Sequence, residues 1–343
     1  MQITVAIDAM GGDNAPNAIV AGAIRALRQQ PNLSVLLAGR EDVLRKLTQN
    51  AEDVRDRIGY LPADEVISMD ESPMLAVRKK VQSSLVQAAL AVRDGRAQAL
   101  VSAGSTGAVL ACGMFRIGRI SGIERPALAV LIPGKKKPFL LMDSGANADC
   151  QAQYLEQFGL MGSVYMREVA EVSVPNVGLV NIGAESEKGN RLAKEAYALM
   201  LGQTSYHFGG NVEARDVPTG DFDVVVTDGF TGNVILKYTE GLVSTLMGMI
   251  KEGAMQSLRC KIGALLLKPV FRTIKHKLDY NVIGGAPLLG VAGAVVKAHG
   301  SSGEEAFANA VLQAERMVRG NVVEKISLGL AGLNQENHGG TEQ

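Results

Sequence analysis

Short runs of consecutive apolar residues recur along the chain, and most are separated by amphipathic segments of helix length. The runs are ITVAID, SVLLAG, QALVSA, ALAVLI, PFLLMD, VGLVNIG and DVVVTDG, all rich in Val, Leu and Ile. Strands that are covered on both faces show this pattern rather than polar alternation. The segments between them include APNAIVAGAIRALRQQ and EKGNRLAKEAYALMLGQ. We therefore predict an α/β fold in α/β/α layers, with a mostly parallel sheet between helices.

One pair of runs departs from this alternation. ALAVLI and PFLLMD are joined by only five residues, PGKKK at 133–137, so they predict a hairpin and one antiparallel strand. The lysines at its tip are interpreted as a solvated turn.

The size and composition indicate one unit of two lobes. A chain of 343 residues with 47% hydrophobic residues can bury a large core, and its 39 scattered glycines suit many tight strand-to-helix turns. We assign residues 1–333 to two α/β lobes with a cleft between them, and we expect 334–343, which are polar, to be a disordered tail.

Charge and cysteine content narrow the class of protein. The formal net charge is zero, which does not suggest nucleic-acid binding, and the three cysteines show no CxxC spacing. This argues against a zinc site or a disulfide framework and for a reducing compartment. No signal peptide and no apolar run of about 18 residues is evident, so we expect a soluble, cytoplasmic protein.

The stretch VSAGSTGAVL at 101–110 has the features of an anion site. It is neither a Walker P-loop nor a GxGxxG loop. Gly104 allows close backbone approach, Ser102, Ser105 and Thr106 offer hydroxyls, and the following helix would aim its N–H groups at a ligand. A plain strand-to-helix turn also favours these residues, so the loop alone is weak evidence.

Four other predicted strand ends carry similar glycine-containing polar loops: IDAMGGDNAP, MDSGANADC, NIGAESEKGN and VTDGFTGNVILK. Loops at the carboxyl ends of strands are where open α/β sheets bind ligands. Each loop alone could be a simple turn, but together they favour a phosphate-like ligand. The candidate binding residues in three of these loops are Gly11, Gly12, Asp13, Asp143, Asn147, Asp228 and Thr231.

Two side chains in these loops are candidates for catalysis. Lys188 precedes Gly189 and is predicted to open a helix, where a cation opposes the helix dipole. A surface lysine at such a position is nevertheless common. Asn233 follows DGFTG and is predicted in the first turn of a helix, with an amide that can donate a hydrogen bond.

A basic cluster and one histidine complete the candidates. In AVRKKVQSS, Arg78 could hold a phosphate through two parallel hydrogen bonds and Ser83 could assist it, although a solvated charge run is the alternative. His299, in VVKAHGSSG, is the histidine we consider functional, against the alternative of a packed or surface residue. There is no GxSxG motif and no evident protein nucleophile, which suggests that the substrate supplies its own.

These motifs together resemble the PlsX family, the phosphate acyltransferases of bacterial phospholipid synthesis. The matching segments are DAMGGDNAP, VRKKVQSS, VSAGSTGA, GIERPAL, DSGANADC, GLMGSVY, NIGAESEKG, DGFTGNVILK, GAPLLGV and KAHGSSG, which run from residue 8 to residue 303. The family loop usually reads SAGNTGA, with Asn where this chain has Ser105. The acidic run before Lys188 is usually richer, and Ala184 and Ser186 interrupt it here.

The resemblance implies a reaction between inorganic phosphate and the acyl thioester of acyl carrier protein, giving acyl phosphate and free carrier. It places the catalytic pair at Lys188, for charge stabilisation, and Asn233, for donation to the reacting centre. It also implies a fold similar to phosphotransacetylase and to isocitrate and isopropylmalate dehydrogenases, a homodimer, and no cofactor or metal. A membrane glycerol-3-phosphate acyltransferase is a candidate partner. The alternatives are a dehydrogenase of the same fold and a non-enzymatic scaffold on the membrane.

Residues 251–277 form a basic and apolar segment. It holds seven Lys or Arg against one acid, and Pro269 predicts a break into two short helices. This composition predicts reversible, peripheral binding to anionic lipid or to the acidic carrier protein, and a dimer interface is the alternative. The predicted contact residues are Lys261, Leu266, Lys268, Phe271 and Arg272.

Overall fold

Eleven strands form one continuous sheet in the computed structural model, which describes residues 2–278 and 284–339. The strands are β1 (Ile3–Asp8), β2 (Leu33–Gly39), β3 (Ile58–Pro62), β4 (Ala99–Ser102), β5 (Ala127–Ile132), β6 (Phe139–Met142), β7 (Asn176–Asn181), β8 (His207–Glu213), β9 (Val224–Val226), β10 (Ala286–Leu289) and β11 (Ala294–Lys297). Their spatial order is β3-β2-β1-β4-β11-β10-β5-β6-β9-β7-β8.

The sheet consists of two parallel blocks that run in opposite directions. Strands β3, β2, β1, β4 and β11 are parallel to one another, and so are β6, β9, β7 and β8. Between the blocks, β10 is antiparallel to both of its neighbours, and β5 and β6 form an antiparallel pair. The predicted hairpin is thus confirmed, but the expectation of a single antiparallel strand was wrong. One partner of β10 is β11, which follows it closely, but the other is β5, which is far away in sequence and which a four-residue apolar run does not reveal.

The described residues contain eleven α-helices: α1 (Asn17–Gln29), α2 (Glu41–Thr48), α3 (Pro73–Lys79), α4 (Ser84–Arg93), α5 (Thr106–Cys112), α6 (Ala152–Val169), α7 (Arg191–Leu201), α8 (Gly229–Met255), α9 (Leu258–Leu278), α10 (Glu304–Arg319) and α11 (Val322–Gly339). Helices α1, α6, α7, α10 and α11 share one core with one face of the sheet. On the other face, α3, α4 and α5 cover the first block and the start of α8 covers the second. Between the helices that cover the first block and the start of α8, this face of the sheet is uncovered, which leaves room for a cleft.

The burial of the strands explains why they read as apolar runs. Every residue of β4 and of β11 is buried, including the terminal Lys297, because both faces of these strands lie under helices. The apolar interior includes three fully buried phenylalanines, Phe139, Phe158 and Phe307.

Helices α8 and α9 form a long hairpin that packs on the rest of the chain at its base. Only Gln256 and Ser257 separate the two helices, and the apolar contacts of α8 with the sheet come from Ile235 and Leu236. Of the 24 large apolar side chains exposed in the described chain, 14 lie on this hairpin. Among the described helices, none is long and apolar enough to span a membrane.

Two sequence expectations differ from the structure near the carboxyl end. Pro269 does not divide its segment, because α9 continues through it as one helix. Pro269 and Leu265 are both exposed, so water can satisfy the carbonyl that the proline leaves without a donor. Helix α11 also continues to Gly339, into the stretch expected to be a disordered tail, and residues 340–343 lie outside the described chain.

Candidate active site

A buried carboxylate organises the glycine loops at the end of the first block. Asp8, the last residue of β1, is 2% exposed and accepts hydrogen bonds from Ser84 Oγ at 2.6 Å and Ser102 Oγ at 2.7 Å. Burial raises the pKa of Asp8, and the two hydroxyl donors partly offset this. Ser102 Oγ also accepts from the N–H of Gly104 at 3.0 Å. The sequence suggested Ser102 as a phosphate ligand. In the structure Ser102 is fully buried, and its hydroxyl fixes the shape of the loop through its hydrogen bonds to Asp8 and Gly104.

Glycine is required where these loops pack against each other. A Cβ on Gly11 would overlap Asp8 Oδ2 and would lie 3.0 Å from the nitrogen of Gly104. Gly12 has a φ of +109°, a conformation that favours glycine. The N–H of Asp13 donates to Gly300 O at 2.8 Å, which joins the loop after β1 to the loop after β11. Three loops are thereby held together, and Thr106 opens α5 beside them as an exposed side chain.

Lys297 is a buried cation at the end of β11, and sequence reasoning missed it. Its side chain is only 8% exposed, and its Nζ donates to Ala298 O. Burial lowers the pKa of Lys297 to about 8, although the nearby Asp8 and Asp13 act to raise it. The available signal was a lysine that ends the otherwise apolar run AVVK, two residues before His299.

The acidic residues of the second block build their own loops. Asp143 is fully buried and accepts hydrogen bonds from the N–H groups of Leu128 at 3.1 Å, Ala146 at 3.0 Å and Asn147 at 2.7 Å. Burial raises the pKa of Asp143. The side-chain amide of Asn147 donates to Asp143 Oδ2 at 2.9 Å and to Pro126 O at 2.9 Å. Their polar groups therefore fix the loop after β6.

Asp228 has an equally local role. It caps α8 by accepting from the N–H of Thr231 at 2.8 Å and from Thr231 Oγ1 at 2.7 Å. Asp228 and Thr231 were predicted to contact phosphate, but in the structure their side chains hydrogen-bond to each other. The cap fixes the start of α8, the helix that carries Asn233.

A cavity of about 290 Å³ lies between the two blocks and collects residues from both. The first block contributes Thr106, Lys297 and His299, and the second contributes Gly145 and Asn233. Residues of β5 also line this cleft, as do Leu236, Lys237 and Glu240 of α8. His299 Nδ1 lies 2.8 Å from Ser301 Oγ. A buried cation, an amide, a hydroxyl and an imidazole thus line one space together with apolar side chains.

The other predicted catalytic residue, Lys188, is not among the described residues that line this cleft. It lies on the exposed loop after β7, where its carbonyl accepts from Asn181 Nδ2 at 3.1 Å. Helix α7 begins later, and Asn190 caps it by accepting from Ala193 N at 2.9 Å. Lys188 therefore lies before the helix and does not open it. The argument that its charge opposes the helix dipole does not apply.

The basic cluster near α3 also lies outside the described lining of the cleft. Arg78 is exposed in the last turn of α3, and Lys80 pairs with Glu71 at 2.6 Å. Ser83 is fully buried, and its hydroxyl donates to Lys80 O at 2.7 Å. Ser105 occupies the position before α5 and is partly buried. Of the predicted residues, Thr106, Asn233 and His299 are those that the structure brings together in the cleft.

The cysteines do not offer a reactive thiolate in the protein interior. Burial raises the pKa of the Cys112 and Cys150 thiols to about 12, and Cys260 lies exposed on α9. Among the described residues, no three His, Cys, Asp or Glu side chains are grouped as metal ligands.

Solved structures with a similar fold support the predicted architecture. A phosphotransacetylase from Streptococcus pyogenes superposes with a TM-score of 0.60 at 16% identity, covering 92% of this chain and 94% of that one. A branched-chain phosphotransacylase from Enterococcus faecalis gives a TM-score of 0.58 at 17% identity, covering 92% and 99%. At these identities the likeness concerns the fold, and it confirms the predicted fold class.

Sequence comparison is more specific. A family model described as "Fatty acid synthesis protein" matches residues 3–325. A phosphate acyltransferase of Clostridium botulinum is 47% identical over 333 residues, which cover 97% of this chain and 99% of the relative. A phosphate acyltransferase of Clostridium acetobutylicum is also 47% identical, over 334 residues that cover 96% and 99%. The chain therefore belongs to the PlsX family of phosphate acyltransferases.

Proposed function

We propose that this enzyme transfers a fatty acyl group from the thioester of acyl carrier protein to inorganic phosphate, as an early step of phospholipid synthesis. A phosphate oxygen attacks the thioester carbonyl carbon, and the carbonyl oxygen takes up the electron pair. The tetrahedral intermediate then collapses, the carbon–sulfur bond breaks, and the sulfur leaves and is protonated. The products are acyl phosphate and the free carrier thiol. Phosphate is itself the nucleophile, so no nucleophilic side chain is needed.

The observation that carries this proposal is the cleft between the blocks, which both Lys297 and Asn233 line. Lys297 is the cation that binds phosphate, because a buried ammonium group forms strong charge-assisted hydrogen bonds to an anion. Asn233 donates from its side-chain amide to the oxyanion that develops on the thioester carbonyl. Thr106 and His299 line the same space and can hydrogen-bond the remaining phosphate oxygens.

The glycine loops support this assignment through their backbone. Gly11, Gly12, Asp13 and Gly104 belong to loops that are joined to the loop after Lys297. The N–H groups of Gly104 and Asp13 donate to Ser102 Oγ and Gly300 O, so these loops support the site by fixing its shape. We retain Lys188 as a second cation, supplied from the exposed loop after β7, since the resemblance assigns it a catalytic role.

The test is phosphate-dependent cleavage of the thioester. Purified enzyme incubated with a fatty acyl thioester of acyl carrier protein should release carrier thiol and acyl phosphate in proportion to added phosphate. Release of thiol without phosphate, or turnover that depends on a nicotinamide cofactor and a divalent cation instead, would contradict the proposal and favour another class of enzyme.

We also infer that the enzyme works in the cytoplasm and binds anionic membranes reversibly through the outer face of α9. Leu258, Ile262 and Leu266 follow one another at helical spacing and are 74%, 54% and 75% exposed. Lys261, Lys268 and Arg272 lie on the same helix as exposed cations. An apolar face with flanking cations suits an anionic lipid surface, and the same cations suit an acidic carrier protein. The apolar product gives a reason to work there, beside a membrane glycerol-3-phosphate acyltransferase.

The structure changes how the membrane prediction is best tested, because Phe271 is half-buried between α8 and α9 rather than on the outer face. Leu266→Glu should weaken binding to anionic vesicles by roughly 10- to 100-fold, the loss expected when one buried leucine leaves the lipid. Vesicle sedimentation at low and high salt measures it, with Leu328→Glu, at an exposed leucine on α11, as the control. Unchanged binding of Leu266→Glu would refute this surface.

The homodimer that the resemblance implies is a further proposal. Val234, Tyr238, Leu242 and Met249 form a second exposed apolar stripe on α8, between 44% and 69% exposed. Monomeric proteins rarely leave so large a continuous apolar face in water. We assign this stripe to pairing with a second copy, which sedimentation velocity would detect.

A further inference from the structure

We propose that the groove between α8 and α9 binds the fatty acyl chain of the thioester and sets which chain lengths the enzyme prefers. The inference rests on the proposed function, because it needs an acyl group whose carbonyl is held in the cleft. It goes beyond that function by assigning a second part of the substrate to residues that no catalytic argument uses.

The groove continues from the cleft. Leu236 and Glu240 of α8 line both spaces, so a molecule held at Asn233 can extend along α8 without leaving the protein surface. The carboxylate at this junction is paired, because Lys237 Nζ lies 2.9 Å from Glu240 Oε2. An uncharged chain therefore passes an ion pair rather than a free carboxylate.

The lining of the groove suits hydrocarbon. The groove has a volume of about 1000 Å³, at the upper end of the range for ligand pockets. Its walls include Val243, Met247 and Ile250 from α8 and Leu265 and Phe271 from α9. The cations Lys251, Lys261 and Lys268 also border it, and a long lysine side chain can keep its charge in water while its methylenes cover apolar surface.

The length of the groove fits a membrane-type chain. From Asn233, where the carbonyl is held, α8 rises about 15 Å to Val243 and about 21 Å to Met247 at roughly 1.5 Å per residue. One leaflet of a bilayer core, which a long acyl chain spans, is about 15 Å thick. Such a chain therefore extends to the level of Val243, one to two helical turns short of Met247, whereas a short chain ends well before Val243.

The groove is distinct from the two outward faces of the hairpin. Leu266, at 75% exposure, and Leu242, at 44%, face away from it and are not among its described lining residues. Membrane binding, pairing of two copies and chain binding thus use different sides of the same hairpin, so they can be separated by substitution.

The experiment narrows the groove at two depths. Met247→Trp fills its middle, and Val243→Trp fills it closer to the cleft. Leu328→Trp is the control, since Leu328 is exposed on α11 and does not line the groove. Each variant is assayed with palmitoyl and octanoyl thioesters of acyl carrier protein at saturating phosphate, and the ratio of the two kcat/KM values is compared.

Each methylene excluded from the groove is expected to lower kcat/KM about fourfold, which corresponds to about 0.8 kcal/mol. Val243→Trp should therefore lower the palmitoyl-to-octanoyl ratio at least about tenfold through loss of a few methylenes. Met247→Trp, at the far end of the chain, should lower it less, and Leu328→Trp should leave it unchanged. Retained turnover of the octanoyl thioester reports that each variant is folded.

The outcomes separate this inference from the proposed function. If the wild-type enzyme forms no acyl phosphate from either thioester, the proposed function fails. If the wild-type enzyme is active but both groove variants keep its ratio, the groove does not hold the chain and the inference is overturned. The inference is also overturned if the variants change only the sedimentation coefficient or only vesicle binding, since the groove then belongs to a second copy or to lipid.

Discussion

Replacing Lys297 with methionine is expected to lower kcat/KM for phosphate by roughly 10²- to 10³-fold, the loss typical of removing one preorganised electrostatic contact. The ammonium group lies in a buried position at the end of β11, where a charge interacts with an anion more strongly than in water. The substitution also removes the cation that offsets the nearby charges of Asp8 and Asp13. Phosphate saturation curves at a fixed thioester concentration give the measurement.

The control is Lys46→Met, at an exposed lysine on α2, which should keep full activity. A thermal melt of both variants separates loss of phosphate binding from loss of the fold. If the Lys297→Met protein is folded and keeps the wild-type kcat/KM for phosphate, then Lys297 does not bind phosphate.

Lys297 is also expected to make kcat/KM for phosphate fall at alkaline pH. Burial lowers the pKa of Lys297 to about 8, so the side chain is cationic below that pH and becomes neutral above it. Because only the cation attracts phosphate, kcat/KM for phosphate should fall as the pH rises through about 8. Lys297→Arg stays charged over this range and should flatten that limb even if its maximum is lower. An identical alkaline limb in Lys297→Arg would assign the titration to another group.

Much of the fold could be predicted from the sequence because local burial leaves a local pattern. Strands covered on both faces, such as β4, show continuous apolar runs, and the turns that follow them need glycine for close packing. The opposed direction of the two blocks could not be predicted this way. It depends on which strand pairs with β10, and no local feature of Ala286–Leu289 encodes that choice.

The site was predicted less completely, for a related reason. The sequence shows that Asp143 and Asp228 lie in polar loops that follow strands. It does not show which donors their carboxylate oxygens accept from. In the structure the oxygens of Asp143 accept from backbone N–H groups and those of Asp228 accept from Thr231, so these acids build the loops. Lys297 shows the opposite case. It ends a run of apolar residues and looked like an ordinary strand end, although in the structure it is buried and lines the cleft.

Asn233 and Lys188 provide the sharpest test of the catalytic assignment, because the structure places them differently. Asn233→Ala should lower kcat by roughly 10²- to 10³-fold, since the amide is a preorganised donor to the oxyanion. Asn233→Asp should be at least as damaging, because it replaces the donor with an anion of similar shape. Gly241→Ala, at an exposed position of the same helix where an added Cβ meets no atom within 4 Å, is the control for helix integrity.

Lys188→Ala is expected to lower turnover by the same factor of roughly 10²- to 10³-fold if its cation reaches the phosphate or the oxyanion during the reaction. Lys194→Ala, an exposed lysine on the adjacent α7, should have no effect. Residues that stabilise the same charge are not additive, so the double variant Lys188→Ala, Asn233→Ala should be little worse than either single one. Near-normal turnover of Lys188→Ala at saturating phosphate would leave Lys297 as the sole catalytic cation among the described residues. The position of Lys188 on an exposed loop, outside the cleft that holds Asn233, makes this comparison decisive.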